Sequence, residues 1–213
     1  VTDPYRDDPR AEDEPEAQRP GDLGSFVFAN RGTLLALPAV VLAALGKPSA
    51  FSVATGLPVA FAGEVIRMWA VGYSGVTTRG DRVTAPALVT AGPYAYVRNP
   101  LYVGNFITAA GFAWAFTGKN AAPVRFALVA GGLAAMLGVY SVVVPHEERY
   151  LRATFGAAFD DYVARVPRIV PAAEPSEPQH GSYDPAVIAQ AETRTWTTFG
   201  AMLGVLALKA LRA

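Results

Sequence analysis

GPYAYVRNPLYVGNF, residues 92–106, sets the reading of this chain. Gly92-Pro93 is a turn dipeptide, and Pro100 biases Asn99 away from the helical region, so a helix is predicted to begin at Pro100. Pro93, Tyr94, Arg98, Asn99, Pro100 and Tyr102 then gather at the mouth of an apolar segment running from Leu101 to Thr117. Arginine, asparagine and tyrosine at the end of a buried helix belong at a membrane–water interface, where a charged ligand meets the protein.

The apolar fraction of 52% over 213 residues is high for a soluble domain whose ends are this polar, and the length is one domain's worth. A net charge of zero gives no footprint for nucleic acid. The absence of cysteine excludes disulfides, thiolate nucleophiles and Cys-ligated metal. His146 and His180 are the only histidines, spaced too far apart to suggest a metal centre.

Working outward, residues 1–25 are rich in Asp, Glu and Pro and are predicted to be a disordered acidic tail, because so little apolar surface cannot offset the entropy of ordering. Apolar spans are predicted near 26–46, 49–73, 100–117 and 124–145, the first needing Arg31 to snorkel at the headgroups to reach roughly 20 residues. Residues 147–166 form an amphipathic segment, with Leu151, Phe155, Phe159, Tyr162 and Val166 recurring on one helical face. Residues 172–194 read as a linker, and 195–213 as a C-terminal apolar helix. The expected fold is an all-α integral membrane protein: about five transmembrane helices, with a cytosolic pocket built from inter-helix loops and the amphipathic helix.

Arg79, Arg82 and Arg98 in one loop, and the arginines after Val144, outnumber Lys47, Lys119 and Arg125 on the other side. The positive-inside rule therefore puts the N-terminus and both polar segments in the cytosol, as for a protein of a bacterial-type inner membrane. Glu64 and Arg67 lie one turn apart, deep in the second span. At such depth ionisable groups pair with each other or line a pathway, so they are predicted to face the bundle.

The 92–106 stretch resembles the GPYxxVRHPxYxG signature of integral-membrane methyltransferases that include isoprenylcysteine carboxyl methyltransferase and the phospholipid N-methyltransferases. Pro145-His146-Glu147-Glu148, Phe155-Gly156, Tyr162 and Val166-Pro167-Arg168 resemble the C-terminal pattern of the same family. A weaker likeness runs from Gly63-Glu64 to Gly72, and the three together cover a little under half of the chain.

The resemblance implies S-adenosylmethionine as cofactor and a lipidic or prenyl-type acceptor, at the cytosolic face, among membrane lipids. It assigns cofactor binding to Pro93, Tyr94, Arg98, Asn99, Pro100, Tyr102, Glu147, Glu148 and Arg168. Glutamates suit the ammonium and ribose hydroxyls, arginines the carboxylate, and tyrosine faces the sulfonium or adenine. Glu64, Arg67 and Asn99 are the residues expected to act in catalysis or to hold the acceptor head. Asn99 departs from the histidine many members carry, and it cannot move a proton near neutral pH. A non-catalytic membrane subunit that keeps this fold and associates with other subunits is thus an open alternative. An NADPH-dependent lipid or sterol reductase is a more distant one.

Overall fold

The computed structural model describes residues 22–75 and 83–212. Most of the acidic N-terminal tail, and Arg79 and Arg82, lie outside the described residues. Within them the chain is helical: α1 (Leu23–Leu45), α2 (Ala50–Ser74), α3 (Pro100–Phe116), α4 (Ala122–Phe155), α5 (Ala157–Arg165), α6 (Ala186–Ala191) and α7 (Thr193–Leu211). No strand occurs among the described residues, so the protein is all-α.

Three of these helices, α1, α2 and α4, are long and apolar enough to cross a membrane. Their outer faces carry Leu37, Val40, Phe51, Phe126 and Leu137, all exposed. Such surface has no place in water but suits lipid. The 17 residues of α3 rise only about 25 Å, short of a ~30 Å hydrocarbon core, and α3 lies against α2 along its length. The 34 residues of α4 rise about 51 Å, so this helix overshoots the core and carries its last turns into the polar zone.

Glycines on facing ridges set the α2–α3 contact. A Cβ on Gly111 would stand 2.3 Å from the Ala60 amide nitrogen, and one on Gly63 2.5 Å from the Thr108 nitrogen. Only hydrogen at these positions lets the two backbones approach so closely. Ser52 seals one end of the contact by donating to the Ala115 carbonyl at 2.9 Å.

Both ends of the bundle can be read from side-chain bonds. At one end Lys47 N meets Asn120 at 2.7 Å, and Lys209 Nζ donates to the Ala44 and Gly46 carbonyls at 3.0 and 2.9 Å. At the other, Asp22 lies 3.5 Å from Arg149, near the junction of α4 with α5. The start of α1, the 83–99 loop, the end of α4 and α5 therefore share one face of the molecule.

Two features differ from the sequence expectation. Residues 147–166 are not one helix: α4 runs through Pro145 to Phe155, and Gly156, at φ +53°, breaks it before α5. Proline is tolerated inside a membrane helix because neighbours re-satisfy the freed carbonyl, whereas a left-handed glycine ends one. The stretch expected as a linker runs as a strap across the 90–97 loop. Thr90 N donates to His180 O at 2.9 Å, Ala172 N to Tyr96 O at 2.9 Å and Ser176 N to Ala95 O at 2.9 Å, and the stretch also includes α6.

Candidate functional site

Gly92 has φ +62°, and a Cβ there would meet the Tyr73 ring at 2.2 Å, so both conformation and space demand glycine. Pro93 is buried and opens a short 3-10 turn, Gly92–Ala95, that swings the chain back toward the bundle. Pro100 then takes the first helical position of α3, where a missing N–H costs nothing. The two prolines shape the loop. The side chains between them make the site.

Glu148 is the centre of the first group. Its Oε1 accepts from Arg98 Nε at 3.1 Å and Asn99 Nδ2 at 3.3 Å, and its Oε2 from Arg168 Nε at 3.0 Å and Nη2 at 2.5 Å. Arg98 also donates to the Val163 carbonyl at 3.2 Å and to the Val166 carbonyl, orphan acceptors at the C-terminus of α5. Arg98 N bonds Pro167 O at 2.9 Å, and Asn99 Nδ2 reaches Arg168 O at 3.2 Å. Residues about 50 and 70 apart in sequence are thus tied into one charge-assisted network. Glu148 and Arg98 are nearly inaccessible, while Arg168 is 51% exposed.

Tyr162 backs this group from α5, its hydroxyl donating to Tyr94 O at 2.8 Å. Burial pushes the phenols of both Tyr94 and Tyr162 well above the usual range, so both remain protonated donors at any physiological pH. Tyr96 turns its ring toward Trp69, with centroids 6.4 Å apart.

A second group lies further along α3. Tyr102 donates to Glu147 Oε1 at 2.6 Å, and its ring sits 4.6 Å from that of Tyr140. The Tyr140 hydroxyl accepts from Asn105 Nδ2 at 2.8 Å, and Asn105 Oδ1 accepts from Arg67 Nη1. Glu64 and Arg67 are both buried. They pair as the sequence suggested, Arg67 Nε lying 3.6 Å from Glu64 Oε2, and Arg67 has a second and closer partner in Glu192, whose two oxygens lie 2.9 and 3.1 Å from Nη2. Thr195 accepts from the same nitrogen at 3.2 Å. Asn99 joins the Glu148 group and not this one, so the three residues expected to act together are divided between two groups.

The second group borders a cavity of about 600 Å³ between α1, α2, α3, α4 and α7. Glu64, Asn105, Tyr140, Arg31, Arg194 and Thr195 form its polar end, and leucine, alanine, phenylalanine and methionine its walls. Glu192, Asn105, Tyr140, Thr195 and Arg194 were not singled out from sequence. The only available signal was a lone polar side chain inside or just before an apolar run, which is also the mark of a solvated helix end.

In kind, the residues fit S-adenosylmethionine. Cations for a carboxylate, carboxylates for an ammonium and hydroxyls, and tyrosine faces converge at one helix mouth, with Arg168 half exposed at its edge.

Residues 51–158 match the family described as phospholipid methyltransferase, about half of the chain. Protein-S-isoprenylcysteine O-methyltransferase of Schizosaccharomyces pombe is 38% identical over 84 residues, 39% of this chain and 33% of that protein. Methanethiol S-methyltransferase 2 of Bradyrhizobium diazoefficiens is 36% identical over 96 residues, 45% of this chain and 33% of that protein. The match thus spans only a third of the length of these two curated relatives. Nickel-cobalt-cadmium resistance protein NccN of Alcaligenes xylosoxydans xylosoxydans is 31% identical over 167 residues, 74% of this chain and 72% of its own. No solved structure matches the chain. The matched region takes in the 92–106 loop, Glu147 and Glu148, which the fold has brought together, and the chain belongs to the phospholipid methyltransferase family.

Proposed function

We propose that this protein transfers a methyl group from S-adenosylmethionine to a lipidic or prenyl-type acceptor at the cytosolic end of its helix bundle. The observation that carries the reading is the convergence of Arg98, Asn99, Glu148 and Arg168, together with Tyr102 and Glu147, from segments remote in sequence onto one helix mouth. The cofactor supplies an electrophilic methyl on a sulfonium. Arg168 and Arg98 take its carboxylate, Glu147 and Glu148 its ammonium and ribose hydroxyls, and Tyr94 and Tyr102 border it. Pro93 and Pro100 hold the loop that presents them.

In-line displacement needs little covalent help, so the protein contributes alignment and exclusion of water. Arg67, Glu64, Asn105 and Tyr140 then hold the acceptor head, and the cavity takes its apolar part. Asn99 positions Glu148 and moves no proton, consistent with an acceptor that arrives already nucleophilic or loses its proton to Glu64 or Glu147.

The closed network around Glu148 favours one second reading, a non-catalytic membrane subunit in which these ion pairs only brace the fold. The reductase alternative has no counterpart among the three relatives. Binding of radiolabelled S-adenosylmethionine to the purified protein separates the first two. Saturable binding abolished by Glu148→Ala supports the enzyme, and no binding near millimolar cofactor supports the subunit. Mass spectrometry of membrane lipids with and without the protein then looks for a 14-dalton gain, the mass of one methylene, that identifies the acceptor.

A further inference from the structure

The strap, residues 172–184, lies after the region matching the family, yet it is bonded to the loop that opens the signature stretch. Ala91 N donates to His180 O at 3.1 Å, Gly92 N to Gln179 Oε1 at 3.3 Å, and His180 N to Thr90 Oγ1 at 2.9 Å. With the bonds of Ala172 and Ser176 described above, the strap holds the loop backbone from Thr90 to Tyr96. Its own side chains are exposed or half-buried, so buried apolar area is not what keeps it down. One of them has a built seat. The Tyr183 ring lies so close to Gly72 of α2 that a Cβ there would stand 2.1 Å from it, and Asp184 N donates to Gly72 O at 2.8 Å.

Gly72, Tyr73 and Ser74, the end of α2, form a platform between strap and loop. Gly72 takes the Tyr183 ring, whose centroid lies 5.5 Å from that of Tyr73. Tyr73 fills the space that a Cβ on Gly92 would need, and Ser74 hydrogen-bonds the Tyr94 side chain. Strap and loop thus meet on three consecutive residues, at the turn that leads into Arg98 and Asn99. A tyrosine that only anchors a protein among headgroups needs no glycine beneath its ring. We propose that Tyr183 is a positioning residue for the cofactor: its ring, seated on Gly72, locks the strap over the loop and so holds Tyr94 and Arg98 where S-adenosylmethionine is received. The word cofactor rests on the methyl-transfer reading above. Tyr183 acts through Tyr73 and the loop backbone, and its hydroxyl has no hydrogen-bond partner among the described residues, so the ring alone does the positioning.

The full chain in phosphatidylcholine nanodiscs is titrated with radiolabelled S-adenosylmethionine, and amide hydrogen exchange is followed by mass spectrometry over peptides covering 90–98. Tyr183→Ala should weaken binding about tenfold or more and speed exchange in those peptides. Its thermal unfolding midpoint should stay within about 2 °C of the wild type, because strap and loop loosen while the bundle stays packed. Tyr183→Phe keeps the ring and should restore both affinity and slow exchange. Gly72→Ala puts a methyl group where the ring lies and should reproduce the loss with Tyr183 in place. Glu174→Ala, exposed on the same strap, should change nothing.

Wild-type affinity in Tyr183→Ala or Gly72→Ala overturns the proposal, and so does loop exchange that Tyr183→Ala leaves unchanged. A loss of binding that Tyr183→Phe shares overturns it as well, since the seated ring is then not the cause. If the wild type binds no S-adenosylmethionine while Tyr183→Ala still speeds exchange, the methyl-transfer reading falls and the positioning of the loop by Tyr183 stands.

Discussion

Glu148 and Arg168 show how one network can be split by exposure. Glu148 is buried beside Arg98, so Glu148→Ala leaves an arginine without its counter-charge in a place water barely reaches. Removing one partner of a buried pair costs about 3–5 kcal/mol, and a loss of that order is expected in denaturant unfolding. Arg168 is half exposed, and Arg168→Gln should cost no more than about 1 kcal/mol. If Arg168 holds the cofactor carboxylate, the same variant should weaken labelled S-adenosylmethionine binding about tenfold or more. Unchanged affinity in a stable Arg168→Gln protein would remove that arginine from the site. Much of this was legible residue by residue, because Arg98, Tyr102, Glu147 and Glu148 stand at motif positions. The closer partner of Arg67 was not, since Glu192 follows it by 125 residues and has no periodic relation to it.

At the scale of elements, the α2–α3 seam and the α7 clasp are the two contacts to break. Gly111→Ala drives a methyl group into the α2 backbone, and overpacking of that kind costs about 1–3 kcal/mol. Gly138→Ala, on α4 where a Cβ meets nothing, should be neutral or slightly stabilising. Thermal unfolding of both variants in one detergent makes the comparison, and equal midpoints would mean that the close approach of α2 and α3 is not what holds them. Glu192→Ala should release α7 from Arg67 and destabilise by about 3 kcal/mol or more, with protease cleavage appearing between α5 and α7. An unaltered digestion pattern would show that the clasp is dispensable. Helix positions followed from apolar runs, but the break of α4 at Gly156, and not near Pro145, depends on which backbone groups neighbours can satisfy.

For the whole molecule, the bonds at each end of the bundle divide the surface into two faces, and the loop face, with its excess of arginine, is the one proposed to be cytosolic. The chain has no cysteine, so single cysteines are clean reporters. Asp161→Cys on α5 and Lys119→Cys between α3 and α4 are expected to react with a membrane-impermeant maleimide from opposite sides, the first only in inverted vesicles. Labelling of both from the same side would contradict a bundle that crosses the bilayer.

The order of residues alone determined that the chain is helical and apolar, where the turn before α3 falls and which residues stand at motif positions. Those properties follow from local backbone preference, apolar runs and spacing, all of which act over a few residues. Tertiary structure alone decided that Arg67 answers to Glu192, that Glu148 gathers Arg98, Asn99 and Arg168, and that α7 walls a cavity without filling it. Such pairings depend on which helix faces meet, and that is set by shape across the bundle, where a glycine on one helix admits the backbone of the next.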